Sequence, residues 1–308
     1  MDTMQDISQY LTTRNALYDR LQDLAKREGF LQVRSDYLED FIDYFRQNTR
    51  QDPKRLVKVQ DNTGRLFVLQ PDITTNIIKQ VMPRLEGNDV AKLFYLDDVF
   101  AVGSDGRIRT TRQFGVEMIG VRDADADVAL IRLIDRVFAD LGLELVLEVG
   151  NQKWIERVLR GLGLSPSRLP LLRKAVIAKN RDEAIALLEG ANPSYRRLLE
   201  LVLATERDLT TYRSLIEEQG LDPDLLVEMD RIQAIQEAND NVVIDLSLIQ
   251  PFDYYNGPIF KGYLNRRPTD VVRGGRYDTL TEDYGDRTPA LGFSLDVDIL
   301  VNEVMNRG

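Results

Sequence analysis

Neither cysteine nor histidine occurs among the 308 residues, and tryptophan occurs once. Without thiols there is no disulfide, no thiolate nucleophile, no iron–sulfur cluster and no cysteine zinc site. Without imidazoles there is no Ser-His-Asp triad and no histidine metal ligand. Chemistry is confined to carboxylates, Arg and Lys, hydroxyls or a bound cofactor, and the sequence carries neither a Walker nor a dinucleotide fingerprint that would call for one. No apolar run reaches bilayer length. The opening residues, MDTMQDISQY, place acids where a signal peptide needs bases and then an apolar core. These features imply a soluble cytoplasmic protein that meets no membrane. Basic residues are in deficit too, 40 Lys and Arg against 50 Asp and Glu, a formal charge of −10. That balance argues against broad nucleic-acid binding, where phosphates must meet a positive surface.

What is there is a globular chain. With 43% hydrophobic and 29% charged residues it can bury a core, and its length suits two domains or one domain with an insertion. Helical spacing runs from about Gln5 to Glu28 and again from Asp36 to Gln47, with a short strand expected at Phe30–Arg34. Leu56–Gln60 and Arg65–Leu69 read as strands about the turn Asp61-Asn62-Thr63-Gly64. Pro71 opens a helix, and Lys92–Val102 with Arg107–Gly120 form an antiparallel pair. A helix at 125–141 and a strand at Leu143–Val149 follow. From 151 to 239 strand alternation ceases, and helical segments break at Gly161, Pro166, Gly190, Pro193 and Gly220. Strands return at Val242–Ile249, Pro258–Leu264 and Ala290–Leu295, before a last helix from Asp296. The plan is α+β: an antiparallel sheet flanked by helices, built from residues 1–150 and 240–308 and interrupted by a helical insertion at 151–239.

Four constellations stand out. In the strand after Arg107, alternation puts Arg107, Arg109, Gln113, Gly115 and Glu117 on one face. That face is either a solvated sheet surface or the floor of a pocket for a small zwitterion or phosphate, with Arg as anion partner and Glu as ammonium partner. Asp72, in Gln70-Pro71-Asp72-Ile73-Thr74-Thr75, either caps a helix or turns toward Glu117. In Phe252-Asp253-Tyr254-Tyr255, an extended backbone would put one Tyr in the core and leave the other for a ligand. The Gly-Gly of Arg273-Gly274-Gly275-Arg276 suits a tight turn or an anion cradle.

Four stretches, in order and at the right spacing, resemble the catalytic core of histidyl-tRNA synthetase. They are VLQPDITT from Val68, GRIRTTRQFGVEMIG from Gly106, FDYYNGPIFKGY from Phe252 with RGGRYDTL from Arg273, and PALGFSLDVDIL from Pro289. The resemblance covers nearly the whole chain outside the helical block and implies a class II synthetase-like sheet. It also places Asp72, Thr74, Gln113 and Glu117 around the ammonium end of a bound histidine, counts Arg109 among the histidine-binding residues, and walls the imidazole with Tyr255 and Tyr277.

The departures redirect the function. The cation that grips ATP phosphate in the synthetases is matched by Ala101, and the acid two residues on by Gly103. The Arg that activates the substrate carboxylate is matched by Gln250, the motif-three Arg by Ile299, and the motif-one Pro by Asp36. One such electrostatic contact is typically worth about a hundredfold in rate, so losing three implies no aminoacylation. The resemblance further implies that no anticodon-binding domain follows. A synthetase core of this kind resembles the regulatory subunits of short-form ATP phosphoribosyltransferases. That likeness implies a non-catalytic subunit that activates a separate catalytic subunit at the first step of histidine synthesis and takes part in feedback inhibition by L-histidine. It implies dimers within a hetero-octamer, with no tRNA, metal or cofactor. The alternative is an adenylate-forming or transferase enzyme using a different arginine set.

Overall fold

The computed structural model describes residues 4–47, 52–122, 125–264 and 268–307, so Met1–Thr3 of the opening segment lie outside the described residues. Helix α1 (Met4–Arg27) leads into β1 (Leu31–Gln32). The expected helix at 36–47 divides into β2 (Leu38–Asp40) and α2 (Phe41–Gln47). Glu39 pairs across to Val68, and the Asp40 carboxylate then accepts the Ile42 backbone N–H at 2.9 Å, starting the helix one turn late. The hairpin forms as expected, β3 (Lys58–Gln60) and β4 (Leu66–Leu69) flanking Asp61–Gly64. With β2 these make a small three-stranded antiparallel sheet in the order β2-β4-β3.

After α3 (Thr74–Val81) comes the long pair β5 (Ala91–Val102) and β6 (Ile108–Ile119), in register through twelve residue pairs. Then follow α4 (Ala126–Leu141), β7 (Leu145–Asn151) and six helices: α5 (Gln152–Gly161), α6 (Arg168–Ile177), α7 (Arg181–Ala186), α8 (Pro193–Leu203), α9 (Leu209–Glu218) and α10 (Asp224–Glu237). The expected strand at 242–249 stops at β8 (Val242–Ile244), because Asp245 accepts the Ser247 backbone N–H at 2.9 Å and turns the chain. The chain closes with β9 (Pro258–Leu264), β10 (Asp270–Arg276), α11 (Asp278–Thr281), β11 (Ala290–Asp296) and α12 (Val297–Arg307).

The main sheet has eight strands in the order β1-β5-β6-β11-β10-β9-β7-β8. Its five inner pairings are antiparallel and a parallel strand is added at each edge, β1 on β5 and β8 on β7, so the sheet is mixed rather than wholly antiparallel. The Gly274-Gly275 pair lies within β10 and is not a turn. A Cβ on Gly274 would collide with the Phe260 ring and the Gly292 carbonyl, so close packing of neighbouring strands requires the missing side chain.

One sheet face is apolar and carries Phe94, Phe114, Val116, Phe260, Val272, Phe293 and Leu295. Leu17 and Leu21 of α1, Ile131 and Ile134 of α4, and Leu300 and Val301 of α12 belong to the same buried cluster, as does the helical block through Trp154, Leu198 and Ile232. The opposite face holds the polar residues of β6, and α3 and the 245–255 segment stand over it. No described helix is long and apolar enough to cross a membrane.

Candidate functional site

Strand registration assembles the floor of a cavity. Glu117 lies opposite Gly292, Gln113 opposite Asp296, and Ser294 between Gly115 and Arg273. Alternation turns Gln113, Glu117, Ser294, Asp296 and Arg273 toward the same side, away from the apolar face. Asp72 and Thr74, at the β4–α3 junction, and the 250–255 segment close over them around about 320 Å³, the size of a small metabolite. Gly292 makes room here, since a Cβ on it would strike the Glu117 carboxylate.

Two buried acids dominate the interior. Glu117, 1% exposed, accepts the Thr74 hydroxyl at 2.7 Å and the Tyr277 hydroxyl. Burial pushes its carboxyl up to about 8, against those two donors, with Asp72 nearby adding to the rise. Asp72 reconciles both readings of its sequence. One oxygen caps α3, accepting the Thr75 N–H at 2.9 Å and its hydroxyl at 2.6 Å, and the other accepts the Tyr254 hydroxyl at 3.2 Å. Burial raises this carboxyl as well, outweighing the Thr75 donors. Behind it Glu39, also buried, is pushed to about 7 by burial and by Asp72. Among the described residues neither Asp72 nor Glu117 is in an ion pair, so the site offers carboxylates to a cation from outside.

Aromatic rings make the remaining wall. Tyr254 and Tyr255 are adjacent rings at 4.7 Å, and each meets Tyr277, at 5.9 and 6.4 Å. Both tyrosines therefore belong to one cluster, contrary to the expectation that they diverge, because residues 251–257 form a bent loop rather than a strand. Two tethers from the helical block hold the segment that leads into that loop. Gln152 of α5 accepts the Gln250 N–H at 3.1 Å, and Lys179 bonds Asp245 and Ser247.

Of the residues expected at the site, Asp72, Thr74, Gln113, Tyr255 and Tyr277 line the cavity, and Glu117 lies at its floor in contact with Thr74 and Tyr277. Arg109 stands apart near the β5–β6 turn, exposed and paired with Asp105 at 3.4 Å. Ala101 and Gln250 line the cavity, and Gln250 gives its side-chain amide to the Phe260 carbonyl at 3.2 Å. Ile299 packs against the main core outside the cavity. Segment 289–300 holds no cation at all, and the group it turns inward is Asp296. Tyr254 and Arg273, weighed in the sequence only as parts of their motifs, also line the site, as does Ser294, which was not singled out.

The family model described as histidyl-tRNA synthetase matches residues 8–300. The chain belongs to the histidyl-tRNA synthetase family. An ATP phosphoribosyltransferase regulatory subunit from Clostridium botulinum is 28% identical over 294 residues, covering 91% of this chain and 69% of that relative. Another relative, a histidine–tRNA ligase from Sulfurisphaera tokodaii, is 27% identical, with 89% of this chain and 67% of the relative covered. A solved structure of an ATP phosphoribosyltransferase regulatory subunit/histidyl-tRNA synthetase from Bacillus halodurans superposes with a TM-score of 0.80 at 24% identity, over 96% of this chain and 79% of that one. This establishes the histidyl-tRNA synthetase fold for the chain.

Proposed function

We propose that the chain is the regulatory subunit of an ATP phosphoribosyltransferase, activating a short-form catalytic subunit and carrying the L-histidine site through which the product restrains the first step of histidine synthesis. The observation that carries this reading is the asymmetry of the cavity. Asp72, Glu117, Thr74 and the tyrosines are present, whereas Ala101 and Gln250 offer no cation to a nucleotide phosphate or an acyl-adenylate. Two unpaired buried carboxylates suit an ammonium, and a tyrosine wall suits a planar imidazole. The name ATP phosphoribosyltransferase regulatory subunit, which recurs among relatives from several clostridia, supports the same reading. Ile299 and the cation-free 289–300 segment weigh against the adenylate-forming alternative.

The regulatory subunit would act in the cytoplasm, as a dimer within a hetero-octamer, with no enzymatic step, cofactor or tRNA of its own. Histidine would regulate by binding unequally to two states of the complex, since a ligand with equal affinity for both shifts nothing. The test is phosphoribosyl-ATP formation by the short catalytic subunit of the same organism, with and without this chain. The expected result is a higher rate on addition and suppression by added L-histidine. An indifferent catalytic subunit, or amino-acid-dependent ATP–pyrophosphate exchange by this chain alone, would overturn the reading.

A further inference from the structure

An amino acid held by its ammonium at Asp72 and Glu117 presents a carboxylate to the same cavity. In the synthetase pattern that charge meets the arginine matched here by Gln250. Gln250 is neutral, 2% exposed, and its amide is spent on the Phe260 carbonyl. A carboxylate left without a partner in a site already holding two buried acids would be repelled. Some other cation has to meet it.

Two arginines line the cavity, Arg55 and Arg273. Arg55 ends the short turn Pro53–Arg55, is exposed, and has no orienting partner among the described residues. Arg273 differs in three ways. It rises from the sheet floor itself, in the cross-strand row Gly115–Ser294–Arg273. With strands about 5 Å apart, Arg273 is about 10 Å from Gly115, a span that an arginine and a small amino acid cover together. Its guanidinium is oriented, because Asp270 takes the Nε edge, with Nη2 to Oδ1 at 3.1 Å. A guanidinium carries five donors, so the Nη1 side remains for a second carboxylate. Finally, Arg273 lies within the electrostatic reach of Tyr255 on the wall and Asp296 on the floor, at the mouth between them.

We propose that Arg273, steered by Asp270, is the carboxylate anchor of this site and the residue that makes it select an amino acid over the corresponding amine or alcohol. This rests on the reading of the cavity as a histidine site. It moves the cationic contact from the loop position held by Gln250 to strand β10. An anchor there would hold the carboxylate in place without the synthetase geometry at position 250.

Calorimetric titration of the full chain with L-histidine and with L-histidinol, which keeps the amine and imidazole but replaces the carboxylate by an alcohol, tests this. Histidinol carries the greater positive charge, so an acidic cavity without an anchor would prefer it. The expected result is a preference for L-histidine of ~10- to 100-fold, the usual worth of a charge-assisted bond. Arg273→Met should collapse that preference by weakening L-histidine alone, Arg273→Lys should keep part of it, and Arg55→Met should leave it intact. Arg273 has a side chain 56% exposed, and circular dichroism with histidinol affinity checks that the variants remain folded. A wild-type chain that binds L-histidine without preferring it, an R273M variant that keeps the preference, or an R55M variant that loses it would each overturn the anchor while leaving the histidine site standing. Binding of neither ligand by the wild type would remove the histidine site and the anchor with it.

Discussion

Glu117 shows how one buried carboxyl links ligand binding to pH. Its acid is raised from an ordinary 4.5 to about 8 by burial, so at pH 7 the empty site holds it mostly protonated. An ammonium at the site favours the ionised form, and binding must therefore expel a proton. From pH 7 upward a free imidazole is mostly neutral, which leaves Glu117, at about 8, and Glu39 behind Asp72, at about 7, as the buried acids titrating between pH 7 and 8. Of the two, Glu117 lies at the cavity floor. Affinity for L-histidine is expected to rise across that interval and flatten above it. Calorimetry at pH 7 in two buffers of different ionisation enthalpy should show release approaching one proton. Glu117→Gln should abolish that release and weaken binding at least tenfold; unchanged release in the variant would put the proton elsewhere. The same shift has a stability consequence of opposite sense. The folded chain holds this proton more tightly than the unfolded one, so Glu117 costs stability progressively as pH rises from about 4.5 to about 8.

Strand β10 and helix α4 are joined by a buried ion network that also frames the site. Arg276, with its side chain 8% exposed, meets Asp127 in the first turn of α4 at 3.1 Å and Asp278 at 3.2 Å. Asp278 in turn accepts the Ala290 N–H at 2.9 Å and donates its own to Asn256 at 3.0 Å. The network brackets Tyr277, whose hydroxyl reaches Glu117. Arg276→Met strands the Asp127 charge and is expected to cost ~3–5 kcal/mol, read as a fall in thermal midpoint of about 5–8 °C. The double variant with Asp127→Asn should lose much less; equal losses would mean that packing rather than charge holds the junction. None of this was visible in the sequence, because Asp127 and Arg276 are separated by the entire helical block. Periodicity did reveal β5, β6, α4 and the polar face of β6, all long elements with one buried side. It misled where local chemistry took precedence: at Asp40 and Asp245, whose side chains turn the backbone, and at Gly274-Gly275, where a pair suited to a turn sits inside a strand. That last reading hid the phase of β10, and with it the inward direction of Arg273.

At the scale of the whole molecule, the helical block at 151–239 reads in the sequence as an insertion, yet its apolar residues do not form a core of their own. Trp154, Leu172, Leu198, Tyr212 and Ile232 share one continuous buried cluster with Phe94, Phe114, Phe293 and the helices on the back of the sheet. Asn151, at the end of β7, gives its side-chain amide to the buried Glu228 of α10 at 2.9 Å, so sheet and block exchange polar contacts as well. Separating them would expose apolar surface on both sides and strip Glu228, 1% exposed, of its bond to Asn151, leaving it Lys153 of α5. A chain built this way melts as one unit despite a length that often gives two. Differential scanning calorimetry is expected to show a single endotherm with matching calorimetric and van't Hoff enthalpies, on the order of 200 kcal/mol for 308 residues. Helical signal and near-ultraviolet aromatic signal should be lost at the same temperature. Two resolved transitions, or helix loss preceding aromatic loss, would show that the block folds independently. Saturating L-histidine should raise the single transition without splitting it, because the segment leading into the loop that closes the cavity is tethered to the block through Gln152 and Lys179. A cavity wall held in this way cannot shift without moving its helical supports, which is the mechanical coupling a regulatory subunit needs between a small ligand and a distant surface.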